Sequence, residues 1–180
     1  MFMGKIDSCG ECGILLESKV LVEDSTIKGQ LVEKGFGESK SRSLVLDLFE
    51  ALFLVQKDKL CICDKKEKKV SEKKLLALGL EHDKKFYSKF IVYSDLRERG
   101  YCVKTGLKFG FDFRVYPKGK KMGEEHSKFV IHVAPESEKV SMSQLSRMTR
   151  LAGNIHTITV VAVVDREDSV NYYSTERILF

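Results

Sequence analysis

The apolar positions of this chain change their period about halfway along. Near the start, "GILLESKVLVED" alternates apolar and polar residues around a polar turn, the period-two pattern of a strand or hairpin. "STIKGQLVEKGFGESK" predicts a short helix that ends at a glycine-rich turn. "RSLVLDLFEALFLVQKD" places Leu44, Leu48, Ala51, Leu52 and Val55 on one side at helical spacing, with Ser43 as N-cap. "KLCIC" predicts a strand that leaves through the lysine-rich turn "DKKEKK", and "VSEKKLLALGLEHDKKFYSKFIVYSDLRERG" predicts two helices, the first capped by Ser71. After Gly100 the runs "YCVKTG", "LKFGFDFRVYP", "SKFVIHVAP", "ITVVAVVDRED" and "VNYYSTERILF" are β-branched and aromatic, separated by turn residues. Only "SMSQLSRMTRLAGNI" interrupts them with a helical pattern, capped by Ser141 or Ser143. The expected fold class is α+β: a small α/β domain over residues 1–84, then a sheet with two helices over residues 85–180.

Composition narrows this picture only a little. The chain has 180 residues, 43% of them hydrophobic, enough for a real core. A net charge of +5 is mildly basic; it admits a nucleic-acid partner without requiring one. No apolar run approaches the ~20 residues that cross a bilayer. The opening "MFMGKIDSCGECG" lacks the basic-then-apolar order of a secretory signal, so a cytoplasmic protein with no membrane association is expected. Five cysteines, an odd number, argue against a disulfide framework. Cys9 and Cys12 form a C-x-x-C and Cys61 and Cys63 a C-x-C, so four sulfurs have in principle the means to hold zinc. Cys61 and Cys63 nevertheless flank Ile62 in a strand-like run, where same-face cysteines more often pack or lie exposed. The expectation is therefore no metal and no cofactor.

The candidate chemistry lies in "FDFRVYPKGKKMGEEHSKFVIHV". Strand alternation puts Phe111, Phe113 and Val115 on one face and brings Arg114 and Tyr116 out together on the other, beside Asp112. His126 falls at the mouth of the next strand, and an imidazole with an ordinary pKa near 6.5 suits proton transfer at neutral pH. Lys118, Lys120 and Lys121 crowd the loop between them, and its glycines allow backbone to approach phosphates. RNA scission without a metal needs such parts. A base takes the 2′-hydroxyl proton, an acid protonates the leaving 5′-oxygen, and positive charge stabilises the phosphorane. A tyrosine at a strand end is equally ordinary edge packing, and a histidine after two glutamates an ordinary surface residue. His132, inside a strand, and His156 are weaker candidates.

The run "YSDLRERGYCVKTGLKFGFDFRVYPKGKKMGEEHSKFVIHV" closely resembles the tRNA-splicing endonuclease subunits of archaea. Their pattern is Y-x-D-L-R-x-R-G-Y-x-V-K-x-G-x-K-x-G-x-D-F-R-x-Y, then a short loop and E-H-S. The likeness weakens but continues through "LSRMTRLAG" and "VVAVVD" to the end, while the first half matches only in layout. The resemblance implies a nuclease-like (restriction-endonuclease-like) mixed-sheet domain in the second half. It also implies metal-independent cleavage of precursor tRNA at bulge–helix–bulge junctions, leaving 2′,3′-cyclic phosphate and 5′-hydroxyl ends. Carried onto this chain, Tyr116 is the general base and His126 the general acid. The family's lysine, from a V-R-K-K stretch before the "AVVD" strand, corresponds to Thr157; no lysine occurs between Val140 and Asp165. Losing one preorganised transition-state contact typically costs about 2.7–4 kcal/mol.

Lys104, Lys108 or Arg150 are candidate stand-in cations. Alternatively, the chain is a non-catalytic structural subunit whose mate cuts. The resemblance further implies arginines that clamp a flipped base (Arg150, Arg177), and an acidic loop (Glu136, Glu138) that enters a basic cleft of a neighbouring copy. The last strand would pair with its copy, burying Tyr172 or Tyr173 and Ile178, within a homotetramer or an assembly with a second related subunit. The competing class is an unrelated nucleic-acid-binding module or a metal-dependent nuclease. That class needs clustered carboxylates, for which Asp112, Glu124 and Glu125 are the acids at hand.

Overall fold

The computed structural model describes residues 12–107 and 110–178, and the chain divides into two compact units, residues 1–87 and 88–180. Among the described residues no helix is long and apolar enough to cross a membrane.

In the first unit, β1 (Gly13–Leu16) and β2 (Lys19–Val22) form the expected hairpin, pairing Ile14 with Leu21 and Leu16 with Lys19. The helix α1 (Ser25–Glu33) is capped by Asp24, whose carboxylate accepts from the Ile27 N–H. Then follow β3 (Glu38–Lys40), β4 (Ser43–Asp47), α2 (Leu48–Gln56), β5 (Ile62–Cys63) and α3 (Glu72–His82), the last capped by Ser71. The sheet order is β3-β4-β2-β1-β5; all pairs are antiparallel except β1 with β5.

The single helix expected from Ser43 onward is corrected here: Ser43–Asp47 is a strand, and the helix starts at Leu48. The physical reason is the cap. Asp47 accepts from the Glu50 N–H, Glu50 reaches back to the Asp47 N–H, and its other oxygen takes the Gly37 N–H. This reciprocal box fixes the helix start, and it holds the Glu50 carboxylate at 2% exposure with its acceptors used. Upstream of the cap, Leu44 and Leu46 alternate into the core with Val20 and Val22.

The second unit holds most of α4 (Phe86–Glu98), then β6 (Cys102–Thr105), β7 (Phe113–Tyr116), β8 (Phe129–Pro135), α5 (Met142–Asn154), β9 (Ile158–Val164) and β10 (Val170–Thr175). The sheet order is β10-β9-β8-β7-β6, with only β8 and β9 parallel. Together the two units make an α+β fold. Ser141 caps α5 through the Gln144 N–H. Phe111 precedes β7 instead of belonging to it. It packs with Val130, Met148 and Ala152 under α5, whereas Phe113 meets the Tyr93 ring of α4 at 6.0 Å. The expectation that both phenylalanines share one strand face is corrected by that early turn.

Asp112 holds one end of this sheet together. Lys89 Nζ lies 2.7 Å from Asp112 Oδ1, while Oδ2 accepts the Val133 N–H at 2.8 Å and lies 3.4 Å from His132 Nδ1. Burial alone would push the carboxyl up, but His132, Lys89 and the Val133 N–H outweigh it and hold Asp112 below the ordinary carboxylate range.

Along β10, Tyr172 turns inward and donates to Asp95 at 2.6 Å, with the Arg99 guanidinium 5.8 Å from its ring. Burial first, then the Asp95 contact, raise the hydroxyl's pKa, so it stays protonated. Tyr173 points the other way and is 57% exposed. Among the described strands β10 pairs only with β9 and forms the sheet's edge.

Candidate active site

Two strand ends build the site. β7 pairs antiparallel with β8, Val115 opposite Phe129, so the last residue of β7 stands beside the residues that lead into β8. Tyr116 and His126 consequently line one hollow of about 570 Å³, with Arg114, Gly123, Glu124, Glu125, Ser127 and Ile155. Tyr116 is only 3% exposed, so the expectation that it stands out from the sheet is corrected: it is packed in the wall of the hollow. His126 is exposed at the rim.

Arg114 supplies the positive charge inside. It shares the Tyr116 face two residues earlier, its Nε donates to the Thr105 carbonyl at 3.4 Å, and its Nη2 lies 3.9 Å from Met122 Sδ. The loop lysines differ from one another. Lys118 Nζ lies 5.1 Å from the Tyr101 ring, a cation–π contact that leaves the ammonium exposed, and Lys120 is exposed at the turn tip. Lys121 is engaged with Glu124 at 3.7 Å.

Thr157 sits where α5 turns into β9. Its N–H and its hydroxyl both donate to the Ala152 carbonyl, at 3.0 and 3.3 Å. The parallel pairing of Phe129 with Ile158, supported by the Ile158 N–H on the Lys128 carbonyl at 3.1 Å, sets Lys128 beside Thr157. Pairing and alternation then put Tyr116, Lys128 and Thr157 in one row across a single face of the sheet. Lys128 escaped sequence reasoning, although its place two residues before Val130 marks the face. Of the stand-ins named from sequence, Lys104 is buried next to Arg114 on β6, Arg150 is exposed on α5, and Lys108 lies outside the described residues.

Arg177 is exposed beyond β10 and Glu136 is exposed after β8. Glu138 turns back toward its own chain, 3.9 Å from His132 Nε2. Asp112, engaged by Lys89 and His132, is at the opposite end of β7 from the hollow. Among the described residues the carboxylates form no set of three within reach of one ion; the single group of that kind is Cys12, Cys61 and Cys63. Those three cysteines come together, where the sequence leads one to expect Cys61 and Cys63 simply to pack or lie exposed; Cys9 lies outside the described residues.

Comparison with known proteins assigns both halves of the chain to a family. The family described as "tRNA intron endonuclease, catalytic C-terminal domain" matches residues 86–172, and "tRNA intron endonuclease, N-terminal domain" matches residues 12–76. A tRNA-splicing endonuclease of Thermococcus kodakarensis is 37% identical over 158 residues, covering 88% of this chain and 92% of the relative. One from Methanococcus vannielii is 38% identical over 160 residues (89% and 90%), and one from Pyrococcus abyssi 40% over 147 residues (82% and 84%). With both halves matched in order and relatives covered nearly end to end, this chain belongs to the tRNA intron endonuclease family.

Proposed function

We propose that this chain is an endonuclease subunit that cuts precursor tRNA at intron–exon junctions, where a helix is flanked by short bulges, and that it does so without a metal. The observation that carries this reading is the one hollow lined by Tyr116, His126 and Arg114. Tyr116, its own proton first given up to solvent, accepts the 2′-hydroxyl proton as the phenolate, and the 2′-oxygen attacks the adjacent phosphorus in line. His126, entering as the imidazolium, gives its proton to the departing 5′-oxygen. A 2′,3′-cyclic phosphate and a 5′-hydroxyl result, and no oxidant or cofactor is consumed. Arg114 takes over the charge that Thr157 cannot provide, because a guanidinium beside the phosphorane is fixed in place before the reaction begins.

Lys118 and Lys120 hold flanking phosphates, with Lys121 contributing less because Glu124 already engages it. Arg150 and Arg177 offer planar faces for a flipped base. Two cuts at a fixed separation call for more than one copy, a homotetramer or an assembly with a related chain, working in the cytoplasm. Glu136, exposed beside Asp165, Glu167 and Asp168, is the better placed of the two loop glutamates to meet a basic neighbour.

A second reading has its own support. Thr157 is tied to the α5 carbonyl and carries no charge, as suits a structural subunit whose mate cuts. The separating experiment uses the purified full chain on a bulged precursor, without divalent ions and with excess chelator, at a temperature well below unfolding. Cleavage to cyclic-phosphate ends is expected. His126→Ala should lower single-turnover cleavage roughly 10²–10⁴-fold while bulged-RNA binding persists. Equal loss of binding would make the histidine a substrate holder. An inert pure chain would favour the structural-subunit reading.

A further inference from the structure

We propose that Cys12, Cys61 and Cys63 form a structural metal site for zinc in the first unit, fastening β1 to β5. The three sulfurs lie within 4.8 Å of one another, although they come from two distant stretches of chain. Four ligands around zinc at Zn–S ≈ 2.3 Å stand about 3.8 Å apart at the corners of a tetrahedron, so these three need only small side-chain rotations to share one ion.

Backbone pairing explains the convergence. The Gly13 N–H donates to the Cys61 carbonyl at 2.8 Å, and the parallel register pairs Gly13 with Ile62 and Ile14 with Cys63. Cys12 therefore arrives alongside Cys61, while Cys63 returns to the same side two residues later. Behind them the chain turns tightly: Asp64 accepts from the Lys66 and Lys68 N–H groups, and the Val70 N–H returns to the Ile62 carbonyl.

The bland alternative, three small buried hydrophobes, fits poorly with the burial. Cys63 is 5% exposed, but Cys12 and Cys61 are only half-buried, so a path for an ion stays open. No disulfide joins the described cysteines. An all-sulfur donor set selects a soft or borderline ion over magnesium or calcium. The need is also evident. β5 has two residues, and an edge strand that short gains little from its ladder. Cys9 precedes Cys12 at the C-x-x-C spacing and lies outside the described residues; the site rests on the three described thiols.

The test is to purify the untagged full chain under reducing conditions and measure its metal. About one tightly held zinc per chain is expected. Cobalt(II) in its place should produce thiolate-to-cobalt charge-transfer absorption. Cys12→Ser and Cys61→Ser should each weaken zinc binding at least about tenfold, in line with loss of a direct ligand. Cys102→Ser, in the other unit, should retain it. Should the serine variants fail to fold, alkylation of the wild-type chain keeps the proposal testable: zinc should protect Cys12, Cys61 and Cys63, and chelator should expose them. Only trace zinc, iron or copper in place of zinc, full zinc retention by the serine variants, or alkylation indifferent to zinc would each overturn it.

Discussion

Each unit is built on a five-stranded sheet, and each sheet has only one parallel pair: β1 with β5 in the first, β8 with β9 in the second. The chemistry-bearing residues gather where those pairs begin. Cys12 and Cys61 precede β1 and β5, while His126, Lys128 and Thr157 precede β8 and β9. An antiparallel hairpin joins near neighbours, whereas a parallel pair needs a crossover and so brings two remote stretches to the same point. The two mouths differ in what they gather. The first collects soft donors that can share one ion; at the second, an imidazole and cations meet the phenol that antiparallel β7 brings to the same hollow.

Four predictions break or sharpen this contrast. The largest concerns the end of the second sheet away from its mouth. Lys89→Met leaves Asp112 with only His132 and the Val133 N–H as partners where about a tenth of the carboxylate side chain is exposed, and should cost up to about 3–5 kcal/mol in urea unfolding. An unchanged midpoint would remove Asp112 from the sheet's support.

Next, Thr157→Lys places a positive charge in the row of Tyr116 and should raise single-turnover cleavage by up to roughly 100–1,000-fold. If Arg114 already does that work, the gain should shrink and reappear only in the Arg114→Ala background. No gain in either background would show that a missing lysine does not limit this chain.

Third is the first mouth. A Cβ on Gly13 would lie 2.7 Å from Val20 Cγ1, and Val20 is wholly buried. Gly13→Ala should therefore cost about 1–3 kcal/mol and reduce zinc retention, with the chemical step of cleavage unaltered below the melting temperature. Cleavage and zinc falling together there would mean the two mouths are not independent.

The smallest effect is in pH. Asp112 is more acidic folded than unfolded, so its contribution to stability is complete above the unfolded value near 4 and drains away as pH drops through the lower folded value. Thermal melts between pH 7 and pH 3 should show this extra acid sensitivity, and Asp112→Asn should lack it.

Much of this molecule is legible in its sequence because the relevant patterns are local. The five strands after Gly100, α5 with Ser141 and α3 with Ser71 follow from period and cap. The stretch from Ser43 misleads because Leu44, Leu48, Ala51, Leu52 and Val55 satisfy a helical stripe. Yet Asp47 and Glu50 stand at capping-box spacing, a local sign that outranks the stripe. Tyr116 and His126 are readable as a pair through their motif, whereas the burial of the phenol depends on what packs around the end of β7. The convergence of Cys12 with Cys61 and of Lys128 with Thr157 is not local at all. It follows from which strands run parallel, and no periodicity encodes that.

The terminal strand "VNYYST" brings one more consequence. Natural sheets guard an open margin with lysine, proline or a bulge, and this run contains no lysine or proline. With Tyr172 locked inward and Tyr173 facing solvent, its outer backbone groups are a template for a further strand. If those groups pair with a second copy, light scattering on a dilution series should follow a self-addition equilibrium, and Tyr173→Lys should shift it toward single chains.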